Sequence, residues 1–380
     1  MGKVYIYKCE NYDEINAKKA IEQTIASFDV LKNIKKGSNV VIKANLVSAM
    51  DPEKSATVHP VLLKELTTYL KSKGCTVTIG DSPGGIYTKT FLNHVYNVTK
   101  MNETGAELND DFSVKKAIFK EAKVLKTFDY TGYLDKADII INFCKLKSHG
   151  MMKMSCAVKN LFGTIPGTMK PEYHYRFPNH DDFANMLIDL NEYFKPVVNI
   201  VDAVIGMDGN GPTMGNPKKV GCILSSENPY ELDYICAKII NLNMDDVQTI
   251  KESFKRNLFN PEKIELNDKL DNFLVKDFEV KKGQNSIAFG QNENGLIKKI
   301  ISIGGNRIFT NKPYCKTKKC IGCAKCRNIC PAKAITMVNG KPLIDRNKCI
   351  KCYCCQEFCP VGAMIVKTSF LVKLLNKKQK

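Results

Sequence analysis

The chain has 380 residues, 44% hydrophobic and 25% charged, the make-up of a folded protein of two or three domains, not of a disordered or fibrous one. No apolar run approaches the roughly 18 residues of a membrane-spanning helix, no apolar leader opens the chain, and Ile6 stands where a myristoylation signal has Ser or Thr, so a cytoplasmic protein is expected. The formal charge of +18 is uneven: residues 312–380 hold 16 Lys and Arg against 2 Asp and Glu, and in a reducing compartment the 16 cysteines argue for metal or redox use over disulfides.

Up to about residue 300 the pattern alternates. Short β-branched runs at 3–8, 39–46, 75–82, 137–144 and 197–206 predict strands buried on both faces of a parallel sheet. Helical patterns fall at 13–27, 60–73, 88–99 and 181–194, and the second has Pro60 in its first turn and Gly74 just past its last. This order predicts an α/β layered domain with a mostly parallel sheet over 1–305. The stretch from 255 to 305 reads as mixed.

Three loops follow strand ends, where open α/β sheets place ligands. "GDSPGG" (80–85) brings Gly80, Asp81 and Gly84. "KLKSHGMMKMSCAVKNLFGTIPG" (145–167) combines Lys147, His149, Lys159 and Asn160 with three glycines, a composition suited to an anion. "GMDGNGPTMGNPKKVG" (206–221) brings Gly209 and Gly211, with Asp202 just upstream. Its glycine spacing is not the dinucleotide fingerprint, and no GK[ST] phosphate loop occurs, which excludes a nucleotide hydrolase. Each feature also has a plain structural use: glycines in turns, lysines in solvent, a histidine in a hydrogen-bonded core. Their convergence favours a shared cleft for an anionic ligand or cofactor.

Residues 306–315 read as a linker, after which the cysteine density jumps. "CIGCAKCRNICPAKAI" (320–335) and "CIKCYCCQEFCPVGAM" (349–364) align without gaps at an offset of 29. Between them, Asn339-Gly340 is flanked by two short strand patterns, the signal of a type I′ hairpin. Each repeat gives C-x2-C-x2-C-x3-C-P. Three cysteines at this spacing wrap three thiolates around one cubane face, and the Pro after the fourth holds it extended, away from its own loop. In this pattern the fourth ligates the other cluster. One [4Fe–4S] cluster is therefore expected on Cys320, Cys323, Cys326 and Cys359, the other on Cys349, Cys352, Cys355 and Cys330. Zinc sites show paired CxxC motifs at wide spacing instead of triplets followed by Cys-Pro. Cys354 falls out of register, opposite Lys325, and like Cys315 reads as a small buried side chain, the sharper alternative being a redox-active thiol or substitute ligand. Cys9, Cys75, Cys144, Cys156, Cys222 and Cys236 have no metal spacing and are expected in the core. The tail, 368–380, reads as a basic amphipathic helix end that is solvated or touches a membrane surface weakly.

Residues 316–367 closely resemble bacterial two-cluster [4Fe–4S] ferredoxins, which implies a small α+β ferredoxin-like domain. Residues from about 38 to 240 resemble the uncharacterised "domain of unknown function 362" family. The likeness is carried by Lys43, Asn45, "TVHP" (57–60), "GDSPG" (80–84), "KLKSHG" (145–150), "AVKNLFGTIPG" (157–167), His174, Asp189, "VDAVIGMDGNGP" (201–212) and Asp233. Ala44 stands where Pro is expected and Ser148 where Thr is expected.

These readings favour an iron–sulfur oxidoreductase that passes electrons from two clusters to a small-molecule substrate or cofactor in the large domain. Lys147, His149 and Lys159 would hold or protonate an anionic group, with Asp81 and Asp202 as acid–base partners and Gly80, Gly84, Asn160, Gly209 and Gly211 lining the ligand. The alternative is a non-catalytic electron carrier or adaptor whose large domain docks a partner. A third reading, a cofactor-maturation factor, needs His59, His149 and His174 to meet. Partners would include a low-potential redox protein with an acidic surface facing the basic C-terminal region. Nucleic acid is excluded, since no aromatic–basic alternation marks a base-stacking surface.

Overall fold

The computed structural model describes residues 2–280 and 312–367. The linker expected at 306–311 and the tail 368–380 lie outside the described residues.

The strands of the large domain are β1 (Gly2–Lys8), β2 (Asn39–Lys43), β3 (Thr76–Gly80), β4 (Glu107–Leu108), β5 (Val114–Ile118), β6 (Thr127–Thr131), β7 (Ile139–His149), β8 (Lys153–Ser155), β9 (Val198–Asp208), β10 (Asn216–Ser226) and β11 (Ile264–Leu266). Nine of them form one sheet in the order β11-β1-β10-β9-β7-β2-β3-β4, with β8 paired to β7, while β5 and β6 form a separate ribbon. From β9 to β4 every neighbour is parallel. β10 runs antiparallel to both β9 and β1, so the sheet is mixed at that side.

Alternation along each strand feeds two cores. In β2, Val41 packs into the cluster on one face, while Val40 and Ile42 join the other. The helix Pro60–Ser72 buries Leu62, Leu63, Leu66 and Leu70 on that second face, capped by His59 and followed by Gly74 at φ +79°. The other expected helices appear at Glu14–Ala26, Lys89–Val98 and His180–Phe194.

Two expectations need correction. β7 does not stop at residue 144 but runs on to His149, which places Lys145 and Lys147 in a buried strand instead of a loop. Buried partners described below make this tolerable. Residues 312–315, assigned to a linker, form strand β12 (Lys312–Cys315), which pairs antiparallel with β15 (Met364–Lys367) and closes the small domain. Pro and Lys in that stretch hid the pattern, because β12 is a two-stranded edge with one partner only.

The small domain also holds β13 (Ile335–Val338) and β14 (Lys341–Ile344), joined at Asn339 and Gly340 with φ +48° and +71°, the two positive values a type I′ turn requires. The sequence repeat is also a repeat of backbone. Gly322 and Lys351, then Ala324 and Tyr353, take positive φ at matching places, and each pair precedes a short helix, Lys325–Asn328 or Cys354–Glu357.

The two domains dock through the second of these helices. Gln356 Nε2 donates to the carbonyls of Asn210 and Gly211, 3.0 and 3.1 Å away, in the β9–β10 turn. Thr213 Oγ1 donates to Glu357 O at 3.3 Å. Tyr353 and Val366 complete the large domain's core. Gly84 has no side chain because the Phe358 ring occupies the space, 2.5 Å from where a Cβ would sit.

Candidate functional site

The sheet order reverses at β2: the chain moves to β3 and β4 on one side, while β7 and β9 lie on the other. Ligands of open α/β sheets gather outside the carboxyl ends of strands at such a point. The residues at those ends are unusually polar for a core. Lys43, at the end of β2, is buried and pairs with Asp81 Oδ1 at 2.7 Å, whose Oδ2 accepts from Leu46 N at 2.7 Å. Lys147 Nζ donates to Asn45 Oδ1 and to Ala56 O, both at 2.7 Å. Asn45 Nδ2 donates to Asn160 Oδ1 at 2.8 Å, and Asn160 Nδ2 donates to Asn142 Oδ1 at 2.8 Å. A chain of amides thus ties β2, β7 and the loop after β8 together, satisfying groups that would be costly to bury unpaired.

This corner opens into a cavity of about 1170 Å³ bounded by both domains. The large domain contributes Asp81, Gly84, Lys147, Lys159, Asn160, Phe162, Lys170 and His174; the small domain contributes Lys325, Cys354, Glu357, Phe358 and Cys359. Of the eight expected cluster ligands, Cys359 alone lines it.

The expected site residues divide accordingly. Asp81, Gly84, Lys147, Lys159 and Asn160 meet at the cavity. His149 is buried close by: its Nδ1 accepts from Met151 N and Met152 N, each at 3.1 Å, so the ring proton sits on Nε2. Nε2 stands 2.9 Å from Glu357 Oε1, off the line of a good hydrogen bond, which leaves both buried atoms short of a partner. Gly80 packs beneath Tyr133, and Gly211 lies against Ser148, whose Oγ accepts from Gly211 N at 3.2 Å and donates to Gly209 O at 3.2 Å. These three glycines do not line the cavity. Asp202 does not either: it is wholly buried, with Lys145 at 2.9 Å, Tyr12 Oη at 2.8 Å and His59 N at 3.0 Å. His59 stacks on Tyr12 at 3.8 Å within that group, so it does not join His149 and His174.

Lys170 and Glu357 were missed from the sequence. Lys170 heads a short helix, and its Nζ donates to Ser82 O. Glu357 hides inside the second cysteine motif, where a carboxylate between the third and fourth ligands was the available signal.

Burial shifts most of these groups. It lowers Lys147 and Lys170 to about 7, helped by neighbouring lysines and opposed by Asp81. Burial also pushes His149 down to about 4 and His174 to about 3, with Lys159 adding to both and Glu357 opposing. Burial works against the Glu357 charge, but His149 and Lys159 outweigh it and hold the carboxyl ionised, at about 2.

A pH prediction follows for His174. The unfolded chain binds a proton near pH 6.5 that the folded chain refuses until far lower, so stability is complete above pH 6.5 and falls as the solution is acidified. At pH 5 each such histidine costs about 2 kcal/mol. His174→Phe, which keeps the stack on Phe183 at 4.4 Å, should lose about 2 kcal/mol less than the parent between pH 7.5 and 5. Urea titrations followed by tyrosine fluorescence measure this, and equal losses in both proteins would mean that His174 is not a neutral buried ring.

In the small domain, Cys320, Cys323, Cys326 and Cys359 line one small cavity, three from the first repeat and one from the second. Two backbone amides donate to the sulfurs of the fourth cysteines, Ala334 N to Cys330 at 3.3 Å and Ala363 N to Cys359 at 3.2 Å, again at an offset of 29. All-thiolate donors with N–H···S bonds suit an iron–sulfur cubane, whose four sulfurs stand apart on separate irons. Among the described residues no three or more His, Cys, Asp or Glu close around a single-ion position. Cys354 is 1% exposed beside Cys352, and Cys9, Cys75, Cys144, Cys156, Cys222, Cys236 and Cys315 are buried.

The chain is 27% identical over 241 residues to thylakoid-associated protein sll1697 of Synechocystis, covering 61% of this chain and 72% of that one. Two solved structures are distantly similar: the lactate racemase apoprotein of Thermoanaerobacterium thermosaccharolyticum (TM-score 0.41, 13% identity, 64% of this chain) and a structural-genomics protein of Thermotoga maritima (0.37, 10%, 59%). The chain spans 58% and 57% of their lengths, and the likeness carries no argument about activity. Among the described residues no helix is long and apolar enough to cross a membrane. A 4Fe-4S dicluster domain model matches residues 319–363, which gives the protein an iron–sulfur electron-transfer role. The model described as "Domain of unknown function (DUF362)" matches residues 40–238, just over half of the chain, and the protein belongs to that family.

Proposed function

We propose that the protein is an iron–sulfur oxidoreductase in which a low-potential partner protein reduces the two clusters and their electrons pass to an anionic small molecule in the cavity between the domains. The observation that carries this reading is that one wall of the cavity holds an expected cluster ligand, Cys359, while the opposite domain supplies lysines. The clusters, when bound, store one electron each.

The chain's own residues cover the remaining tasks. Lys159 and Lys170 hold the anionic group. Lys147 and Lys170, held near 7 by burial, carry exchangeable protons at neutral pH, the condition under which a general acid works best. Asp81, tied to Lys43, orients the loops without contributing free charge. Asp202 belongs to the scaffold.

The test uses anaerobically prepared holoprotein reduced with dithionite and freed of excess reductant. Small molecules extracted from cells, below about the size of a nucleotide cofactor, should reoxidise the clusters, followed by paramagnetic resonance. Lys159→Gln should slow reoxidation at least tenfold with the iron content and cluster spectrum unchanged. Equal rates in parent and variant, or reoxidation by proteins only, would support the carrier reading instead.

A further inference from the structure

We infer that the cavity carries a seat for a dianionic oxyacid group, formed by Lys159 and Lys170 on the ring of Phe162, so that its ligand is a doubly charged organic anion whose body extends toward Cys359. This rests on the proposed function for where the ligand sits and adds what chemical class it belongs to.

Lysines normally bury their stems and leave the ammonium in water or beside a carboxylate. These two do neither. Their ammonium groups lie 5.7 and 5.6 Å from the centroid of the same Phe162 ring. Among the described residues neither makes an ion pair, and Lys170 has one carbonyl, Ser82 O, while Lys159 has no hydrogen bond. The cation–π contacts repay only part of the cost of bringing two like charges together. Asp81 is taken by Lys43, and Glu357 is outside ion-pair distance of both lysines. Burial lowers both lysines, Lys170 to about 7, and Glu357 opposes only at longer range; an oxyanion set between the two ammonium groups favours their charged forms, and a dianion then neutralises both, while a monoanion leaves one.

A second observation points the same way. His174 lines the cavity, is 3% exposed, and its Nδ1 has no hydrogen-bond partner. Its ring is held by Phe183 and meets Phe162 edge-on at 5.6 Å. A buried polar atom without a partner beside two unpaired cations is what a site looks like before its ligand arrives. The cavity, at about 1170 Å³, takes a cofactor-sized molecule, so an oxyacid head at Phe162 leaves room for a body that reaches Cys359 and Cys354.

The probes are phenyl phosphate and phthalate, two dianions of different oxyacid, and benzoate, a monoanion with the same ring. Each is titrated calorimetrically into anaerobic holoprotein at low ionic strength. One dianion at least should bind one-to-one and at least tenfold more tightly than benzoate, and whichever binds more tightly identifies the head as phosphoryl or dicarboxylate. Lys159→Gln and Lys170→Gln should each weaken binding tenfold or more, Lys159→Arg should preserve it, and Lys54→Gln, elsewhere on the cavity rim, should leave it unchanged. The Arg variant keeps the test decisive if a Gln variant folds poorly. Benzoate binding as tightly as both dianions, no binding by any probe, or unchanged binding in both Gln variants overturns the seat. Dianion binding without any reoxidation of reduced clusters by cell extract would leave the seat standing and remove the oxidoreductase reading.

Discussion

Stripping the iron from this protein with a chelator under reducing conditions is expected to unfold residues 312–367 while the large domain stays folded. The small domain's buried cluster consists of Cys315, Cys326, Ile335, Cys355, Cys359, Ala363 and Met364. Three of those seven are expected ligands, and the domain's four strands are four residues each. A domain of this size cannot bury enough apolar surface to offset its chain entropy, and metal binding makes up the difference. Limited proteolysis before and after chelation measures this: cleavage in 312–367 should rise by two orders of magnitude or more, with a fragment that retains the large domain surviving. Equal resistance in both samples would show that the ferredoxin fold stands without its clusters.

The second large effect lies in the scaffold. Asp202→Ala is expected to destabilise the large domain by about 3–5 kcal/mol, a substantial share of a typical domain's stability. Asp202 receives Lys145 Nζ at 2.9 Å, the Tyr12 hydroxyl at 2.8 Å, and the backbone N–H groups of His59 and Val204 at 3.0 and 3.2 Å. Its loss leaves the Lys145 ammonium in a dry core with one partner, Tyr12 Oη at 2.6 Å. The pair Lys145→Met with Asp202→Leu should recover most of the loss, because it removes both charges together. Urea unfolding of the three proteins checks the prediction. Binding of the dianion probes by the folded fraction should be unchanged in Asp202→Ala, which separates a scaffold residue from a ligand contact. Weakened binding at intact stability would return Asp202 to the site.

The parts of this molecule that were legible in advance are those governed by local chemistry. Each cysteine loop, the Asn339-Gly340 turn and the helix beginning at Pro60 depend on residues close together in the chain. The site was harder to read because its logic is long-range. Lys145 and Lys147 look like loop residues, since lysine seldom enters a sheet unpaired, and their partners Asp202 and Asn45 lie 57 and 102 positions away. Asp202 was named for its charge and turned out to spend that charge on Lys145. Glu357 could be placed opposite His149 only once the second cysteine repeat was seen to dock on the β9–β10 turn, and Lys170 only once its helix was seen beside Phe162.

The short helix Cys354–Glu357 belongs at once to the metal-binding repeat and to the chamber's boundary. If the small domain unfolds without iron as expected above, that boundary forms only after the inorganic cubes are inserted. On the proposed function, a newly made chain in a cell short of iron would be an open vessel, and supply of the metal would govern occupancy by the anion without any separate regulator.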